Sequence, residues 1–188
     1  MKHRTTIRKQ QVEFVDATKE HMQLIYKWRN QLFIREVMYN SEHLQWEYHI
    51  KWFENNLIDD QVYMKILYYE GMPYGLANFR LTDNQSNLGE WGFYIGVKEA
   101  PKGMGMLLGY YMLQFLFEEV MIRKVCAEVI DYNERSLHFH KKVGFTQDGL
   151  LRKHILKNGE YCDIYLFSIF KDEWLKMKSE LEKMLFTE

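Results

Sequence analysis

The sequence predicts a mixed α+β fold of the α/β class, a single domain over residues 1–188 with about seven strands. Three observations predict it. Three strand-like runs joined by short turns precede a glycine loop, that loop opens an apolar helix leading to a further strand, and the last two strands flank Asn158-Gly159, a strong hairpin signal. A meander of this kind is not how a doubly wound nucleotide fold begins.

After a polar arm over residues 1–10, Val12 to Asp16 alternates and reads as strand one, with Ala17-Thr18 as the following helix cap. Met22, Ile25, Trp28 and Leu32 fall three or four apart, which predicts an amphipathic first helix from near Lys19. Ser41 is a plausible cap for a second helix reaching about Leu57, rich in aromatics at Trp46, Tyr48, Trp52 and Phe53. Strands two, three and four follow over 62–69, 74–81 and 89–97. The helix from Gly105 to Met121 is apolar nearly all round, as expected of one wedged against a sheet. Strand five is 125–130, and a right-handed crossover places it parallel beside strand four. Asn133 caps a short helix closed by Gly144, strands 147–157 and 160–170 form the hairpin, and a charged helix runs from Lys171 to Phe186.

With 47% apolar residues and 16% aromatics, the chain reads as a folded globule with large buried rings. A formal net charge of -1 does not indicate a nucleic-acid surface. Cys126 and Cys162 sit in strand-like runs without metal-ligand or disulfide spacing. No signal-peptide core or run of transmembrane length is visible, so a soluble cytoplasmic protein without a membrane partner is expected. His138 and His140, two apart on a helix, point opposite ways, and no metal is expected.

Gly103-Met104-Gly105 opening a helix suits an anion, because glycines let backbone amides approach a ligand and the first helical turn has free N–H groups. A tight strand-to-helix connection is the alternative. Leu108 replaces the third glycine of a dinucleotide fingerprint, and no Gly-Lys-Ser/Thr follows, so neither that fold nor a P-loop is indicated.

Two motifs, Val97-x5-Gly103-x-Gly105 and Asn133-x2-Ser136-x3-His140-x3-Gly144-Phe145, resemble the pyrophosphate loop and second cofactor motif of the GNAT family of acyl-CoA-dependent N-acetyltransferases. Ala100 stands where the family loop often starts with Gln or Arg. The resemblance implies a seven-stranded mixed twisted sheet splayed between strands four and five, helices on both faces, and acetyl-CoA as acetyl donor. It implies cofactor contacts from Ile95, Gly96, Val97, Lys102, Gly103, Met104, Gly105, Met106, Asn133 and Ser136, with a bulge at Gly96 and the Ile95 amide polarising the thioester. Glu128, or Glu90 in its place, is the candidate general base, and His140, or second to it Tyr132, the candidate general acid. A solvated strand-edge carboxylate and a merely packed histidine are the bland alternatives.

The segment carrying Arg29, Asn30, Met38, Tyr39, His43 and Trp52-Phe53 resembles the acceptor side of the N-acetyltransferases of pseudaminic acid biosynthesis. That likeness implies a UDP-linked 4-amino-4,6-dideoxy sugar as substrate, with Met38, Tyr39, Phe53 and Tyr94 lining an apolar pocket. A ribosomal-protein, peptide or polyamine N-acetyltransferase of the same fold, and a non-catalytic acyl-CoA sensing module, are the other readings. A homodimer is compatible with the sequence.

Overall fold

The computed structural model describes residues 7–186, so most of the polar arm predicted over 1–10 lies outside the described residues. Strands β1 (Val12–Asp16), β2 (Val62–Tyr69), β3 (Met72–Asp83), β4 (Leu88–Ile95), β5 (Lys124–Ile130), β6 (Thr146–Lys157) and β7 (Glu160–Phe170) form one sheet. Its order is β1-β2-β3-β4-β5-β7-β6. Only β4 and β5 pair in parallel; every other neighbour is antiparallel. The seven-stranded mixed sheet read from the sequence is therefore the observed one.

Period-two alternation in β2 and β3 divides the core. Leu67, Tyr69, Ala77 and Phe79 face helices α4 (Met104–Gln114) and α6 (Lys171–Leu185), whereas Met64, Ile66 and Leu76 face α1 (Met22–Arg29) and α3 (Trp46–Ile58). Helix α4 is held by Tyr110, whose hydroxyl donates to Glu182 of α6, and by Leu107, Leu108 and Leu113, all fully buried. A π-helical turn over Phe115–Glu119 follows it, so the regular helix stops short of the Met121 expected. At the hairpin tip Asn158 and Gly159 have φ of 52° and 85°, the left-handed pair that a two-residue turn needs.

Three further elements differ from the sequence reading. The first helix is interrupted at Asn30-Gln31, and a separate turn α2 (Leu32–Arg35) follows; α3 starts at Trp46 and not after Ser41. The cause is tertiary. Asn30 grips Leu44 with both ends of its amide, Oδ1 accepting from the Leu44 N–H at 2.8 Å and Nδ2 donating to its carbonyl at 3.2 Å. Arg35 donates to the Ser41 carbonyl at 3.0 Å, so the stretch before Trp46 is held open. Strand β4 ends at Ile95 rather than Val97. At Gly96 a Cβ would lie 2.1 Å from the Trp28 ring, so glycine is required there by packing, and β4 shows no bulge at that position.

Helix α5 (Glu134–Lys142) brings His140 into a nest of rings. The imidazole stacks on Phe167 and meets Trp91 and Phe145 edge-on, with 3% of its surface exposed. His140 Nδ1 donates to the Ser136 carbonyl at 2.8 Å, leaving Nε2 to accept from the Trp91 indole N–H at 3.2 Å. Desolvation pushes its pKa down to about 4. A neutral ring whose one N–H is held by the Ser136 carbonyl and whose Nε2 accepts from Trp91 is a poor acid for a departing thiolate, which speaks against the general-acid expectation for His140.

Because the folded pKa lies below the ordinary 6.5, the unfolded chain takes up this proton first as the pH falls. The contribution is fully present above about pH 6.5 and is lost toward pH 4, on the order of 3 kcal/mol. Urea unfolding at pH 7, 5.5 and 4.5 should show a steeper acid loss for the native chain than for His140→Gln. Parallel pH dependences would contradict the neutral buried ring.

Candidate active site

The parallel junction of β4 and β5 pairs Leu88, Gly89 and Glu90 with Lys124, Val125 and Cys126, and beyond that the strands part. Which backbone groups face the gap follows from one hydrogen bond. The Gly96 N–H donates to the Tyr74 carbonyl at 2.8 Å, and the β3–β4 register is unbroken from Gly75↔Ile95 back to Leu81↔Gly89. In an antiparallel ladder alternate residues bond the same neighbour, so Gly92 and Tyr94 are spent on β3, while the amides and carbonyls of Phe93 and Ile95 point into the gap. An extended ligand chain fits there as a strand substitute.

At one end of the gap a cleft of about 330 Å³ is lined by Ile95, Val97, Gly103 and Gly105 and by three cations, Lys98, Lys102 and Arg135, with no carboxylate among its lining residues. Gly103 caps α4 with φ 97°, a conformation that favours glycine. The Met104 amide is used on the Pro101 carbonyl at 3.3 Å and its side chain is core, which narrows the expected role of Met104. The next two amides, of Gly105 and Met106, belong to the helix turn that has no intrahelical acceptor. A Cβ on Gly105 would meet only Ile95 Cγ1, at 3.8 Å, so the protein's own packing does not require glycine there; it leaves room in the cleft. Cations, free amides and this vacant Cβ position fit a pyrophosphate. Gly96 is different: its carbonyl accepts from Gln31 Nε2 at 2.5 Å, its amide serves Tyr74, and it lines none of the clefts described here, which corrects its assignment to the cofactor. Arg135 was missed by the sequence reading, although its place inside the Asn133-x2-Ser136 motif, on the first turn of α5, was a visible signal.

A middle cleft of about 250 Å³ shares Phe33, Ile95, Gly105 and Arg135 with the first and adds Asn133 and Ser136. Asn133 Oδ1 accepts the Ser136 amide at 3.2 Å, so it caps α5 while lining the cleft. Phe93, Tyr94, Asn133 and Ser136 continue into a third cavity of about 390 Å³ on the far side of the sheet. The three make one passage through the splay.

The third cavity gathers Arg29, Met38, Tyr94, Glu128, Asn133, Ser136 and His140 from the predicted set, His140 as a buried ring of its wall. Glu128 is exposed on β5 between buried Ala127 and Val129, and its Oε2 accepts from the Tyr39 hydroxyl. Burial first, and then that hydrogen bond, raise the Tyr39 phenol pKa. Glu90 does not line the cavity, though its charge also acts on Tyr39.

Four predicted residues stand elsewhere. Phe53 is fully buried in the core between α1, α3 and the sheet; Trp52, one residue earlier, lines the cavity instead. Asn30 is occupied with Leu44, and His43 lies edge-on to Tyr26 with ring centroids 6.3 Å apart. Tyr132 lies outside the clefts, its hydroxyl donating to the Glu36 carbonyl at 2.6 Å, which corrects its role as alternative acid. Two polar lining residues had no sequence signal, Asn78 and His49. His49 is fully buried, its Nε2 donates to the Met22 carbonyl at 2.9 Å, and desolvation lowers its pKa, so Nδ1 carries a lone pair. Neither His49 Nδ1 nor Arg29 Nη1, both buried, has a hydrogen-bond partner among the described residues.

Residues 15–166 match the family model described as acetyltransferase (GNAT) domain. The acetyltransferase PseH of Campylobacter jejuni (serotype O:23/36, strain 81-176) is 23% identical over 133 residues, 71% of this chain and 82% of that protein. An SPbeta prophage-derived uncharacterized N-acetyltransferase of Bacillus subtilis (strain 168), YokL, is 36% identical over 90 residues, 46% of this chain. That match spans 50% of YokL, so the chain covers about half the length of this relative. Among solved structures, spermidine N-acetyltransferase from Vibrio cholerae in complex with CoA and spermine superposes with a TM-score of 0.82 at 17% identity, covering 89% of this chain and 99% of that one. The family match runs through the splayed strands, the glycine loop and the Asn133 motif alike, and the chain belongs to the GNAT acetyltransferase family.

Proposed function

We propose that this chain is an acetyl-CoA-dependent N-acetyltransferase that acetylates the 4-amino group of a UDP-linked 4-amino-4,6-dideoxy sugar by direct transfer. The observation that carries the transferase reading is the passage through the splay, with an anion cradle at one end and Glu128 in the cavity at the other. Bound acetyl-CoA supplies an activated acetyl thioester. Lys98, Lys102, Arg135 and the Gly105 and Met106 amides hold its pyrophosphate, and the gap-facing backbone of Phe93 and Ile95 holds its extended arm. Glu128 takes the proton of the acceptor ammonium, directly or through water, so that the amine can attack. A thiol of pKa about 8.5 departs without a strong acid, which suits a site where the His140 ring is neutral and the Tyr132 hydroxyl is held by the Glu36 carbonyl.

For the acceptor, the two unpartnered atoms are informative. Arg29 Nη1 donates and His49 Nδ1 accepts, so a molecule offering both oxygen acceptors and hydroxyl or N–H donors satisfies the pair. A nucleotide sugar offers both. A polyamine offers cations only, and would stand beside the Arg29 guanidinium in a cavity whose lining holds one carboxylate, Glu128. The distant match to PseH and the resemblance of the acceptor segment support the sugar class; the likeness to the spermidine enzyme, at 17% identity, shows the fold alone.

Free-thiol release from acetyl-CoA should appear with a UDP-4-amino-4,6-dideoxy sugar and not with spermidine or peptides with free N-termini; turnover of either of the latter alone would overturn the acceptor assignment. Replacing Glu128 by Gln should lower kcat on the order of 10²-fold with acetyl-CoA affinity kept. An unchanged kcat with chemistry rate-limiting would remove Glu128 as base. Gly105→Val adds bulk at a position where a Cβ meets only Ile95, at 3.8 Å, so acetyl-CoA should bind at least about tenfold more weakly by calorimetry. Retained affinity would show that the cradle lies elsewhere.

A further inference from the structure

Residues 36–44 cross the sheet face as an open strap with no helix or strand of its own. Its carbonyls are captured in sequence by cationic side chains. Lys157 Nζ donates to the Met38 carbonyl at 2.6 Å and to that of Tyr39 at 3.3 Å, Arg29 Nη2 donates to Asn40 at 3.0 Å, and Arg35 Nη1 to Ser41 at 3.0 Å. Arg29 and Arg35 come from the same N-terminal segment as the strap. Lys157 comes from the end of β6, on the other side of the splay.

A buried ammonium is an expensive way to dock a loop, since desolvating the charge costs several kcal/mol unless it is well paired. Lys157 is 6% exposed and forms no ion pair among the described residues, and burial lowers its pKa. What it holds are the two carbonyls that flank the Tyr39 residue, one in the peptide before it and one in the peptide after it. Met38 lines the cavity, and the Tyr39 phenol donates to Glu128.

We propose that Lys157 is a positioning residue for the transfer reaction: by fixing the Met38 and Tyr39 carbonyls it places the Tyr39 phenol against Glu128 and sets the acceptor wall of the cavity. The Tyr132 hydroxyl on the Glu36 carbonyl is the second tie from the same side of the splay. Lys157 itself lines none of the clefts and touches no reacting atom. The kinetic part of this inference rests on the N-acetyltransferase reading, whereas the structural part does not.

Two readouts on the full chain therefore test it. In ligand-free protein, Lys157→Met should speed amide exchange over 36–44 about tenfold or more, and Lys157→Arg, which keeps cationic donors, should restore protection. In steady-state kinetics Lys157→Met should lower kcat for the amino sugar about tenfold with the KM for acetyl-CoA unchanged. Combined with Tyr39→Phe it should cost no more than the larger single change, since both act through one contact. Unchanged exchange over 36–44, or kinetic losses that multiply, would overturn the proposal. If Lys157→Met does not fold, Lys157→Gln takes its place in both arms. Absence of turnover by the native chain with every acceptor would sink the transferase reading and with it the catalytic role; unchanged exchange with turnover intact would sink the Lys157 tie alone.

Discussion

The site depends on a parallel pairing that is cut short. Three residue pairs join β4 to β5, and then the strands part, leaving the edge of β4 without its neighbour. Buried or half-buried backbone amides without partners are costly, so such an edge persists only where something else compensates. Here β3 satisfies every second residue, helices α4 and α5 pack behind the strand, and the remaining amides and carbonyls open onto the passage. The chemistry that follows needs that geometry more than it needs any single side chain. A cradle at the N-terminus of α4, a backbone edge and a carboxylate are strung along one line, and each comes from an element fixed by the sheet.

The proposed acceptor side is built on another principle. Its wall is a strap without secondary structure, whose conformation is set by side-chain donors to its carbonyls, from Arg29, Arg35, Tyr132 and Lys157. The cavity beneath holds a guanidinium nitrogen and an imidazole nitrogen with no partner among the described residues, beside a hydrogen-bonded tyrosine and glutamate. The proposed cofactor side and the proposed acceptor side differ in how they are built: the first is written in backbone geometry, the second in side-chain ties to a strap.

That division explains what could be read from the sequence. Asn133 as a cap, Asn158-Gly159 as a turn, the glycine pair before α4 and the period of β2 to β5 are local signals, and the structure follows them. The strap is not local. Ser41 looks like a helix cap, but Asn30 reaches across 14 residues to hold Leu44, and α3 begins later. Gly96 reads as a bulge glycine until the Trp28 ring is placed against it. His140 sits where the family resemblance suggests an acid, yet rings from β4, β7 and the turn at Phe145 bury it and fix both nitrogens. Phe53 and Trp52 are adjacent aromatics on one helix, and only the docking of α3 decides which of them faces the cavity. Arg135, in contrast, was legible from its place in the motif and was overlooked.

The most direct measurement is residue-resolved amide exchange along β4 with and without coenzyme A. If the splayed edge receives the coenzyme's extended arm, binding slows exchange at Phe93 and Ile95 and leaves Gly92 and Tyr94, already bonded to β3, unchanged. Saturating coenzyme A that slowed neither Phe93 nor Ile95, or that slowed all four residues alike, would contradict the account.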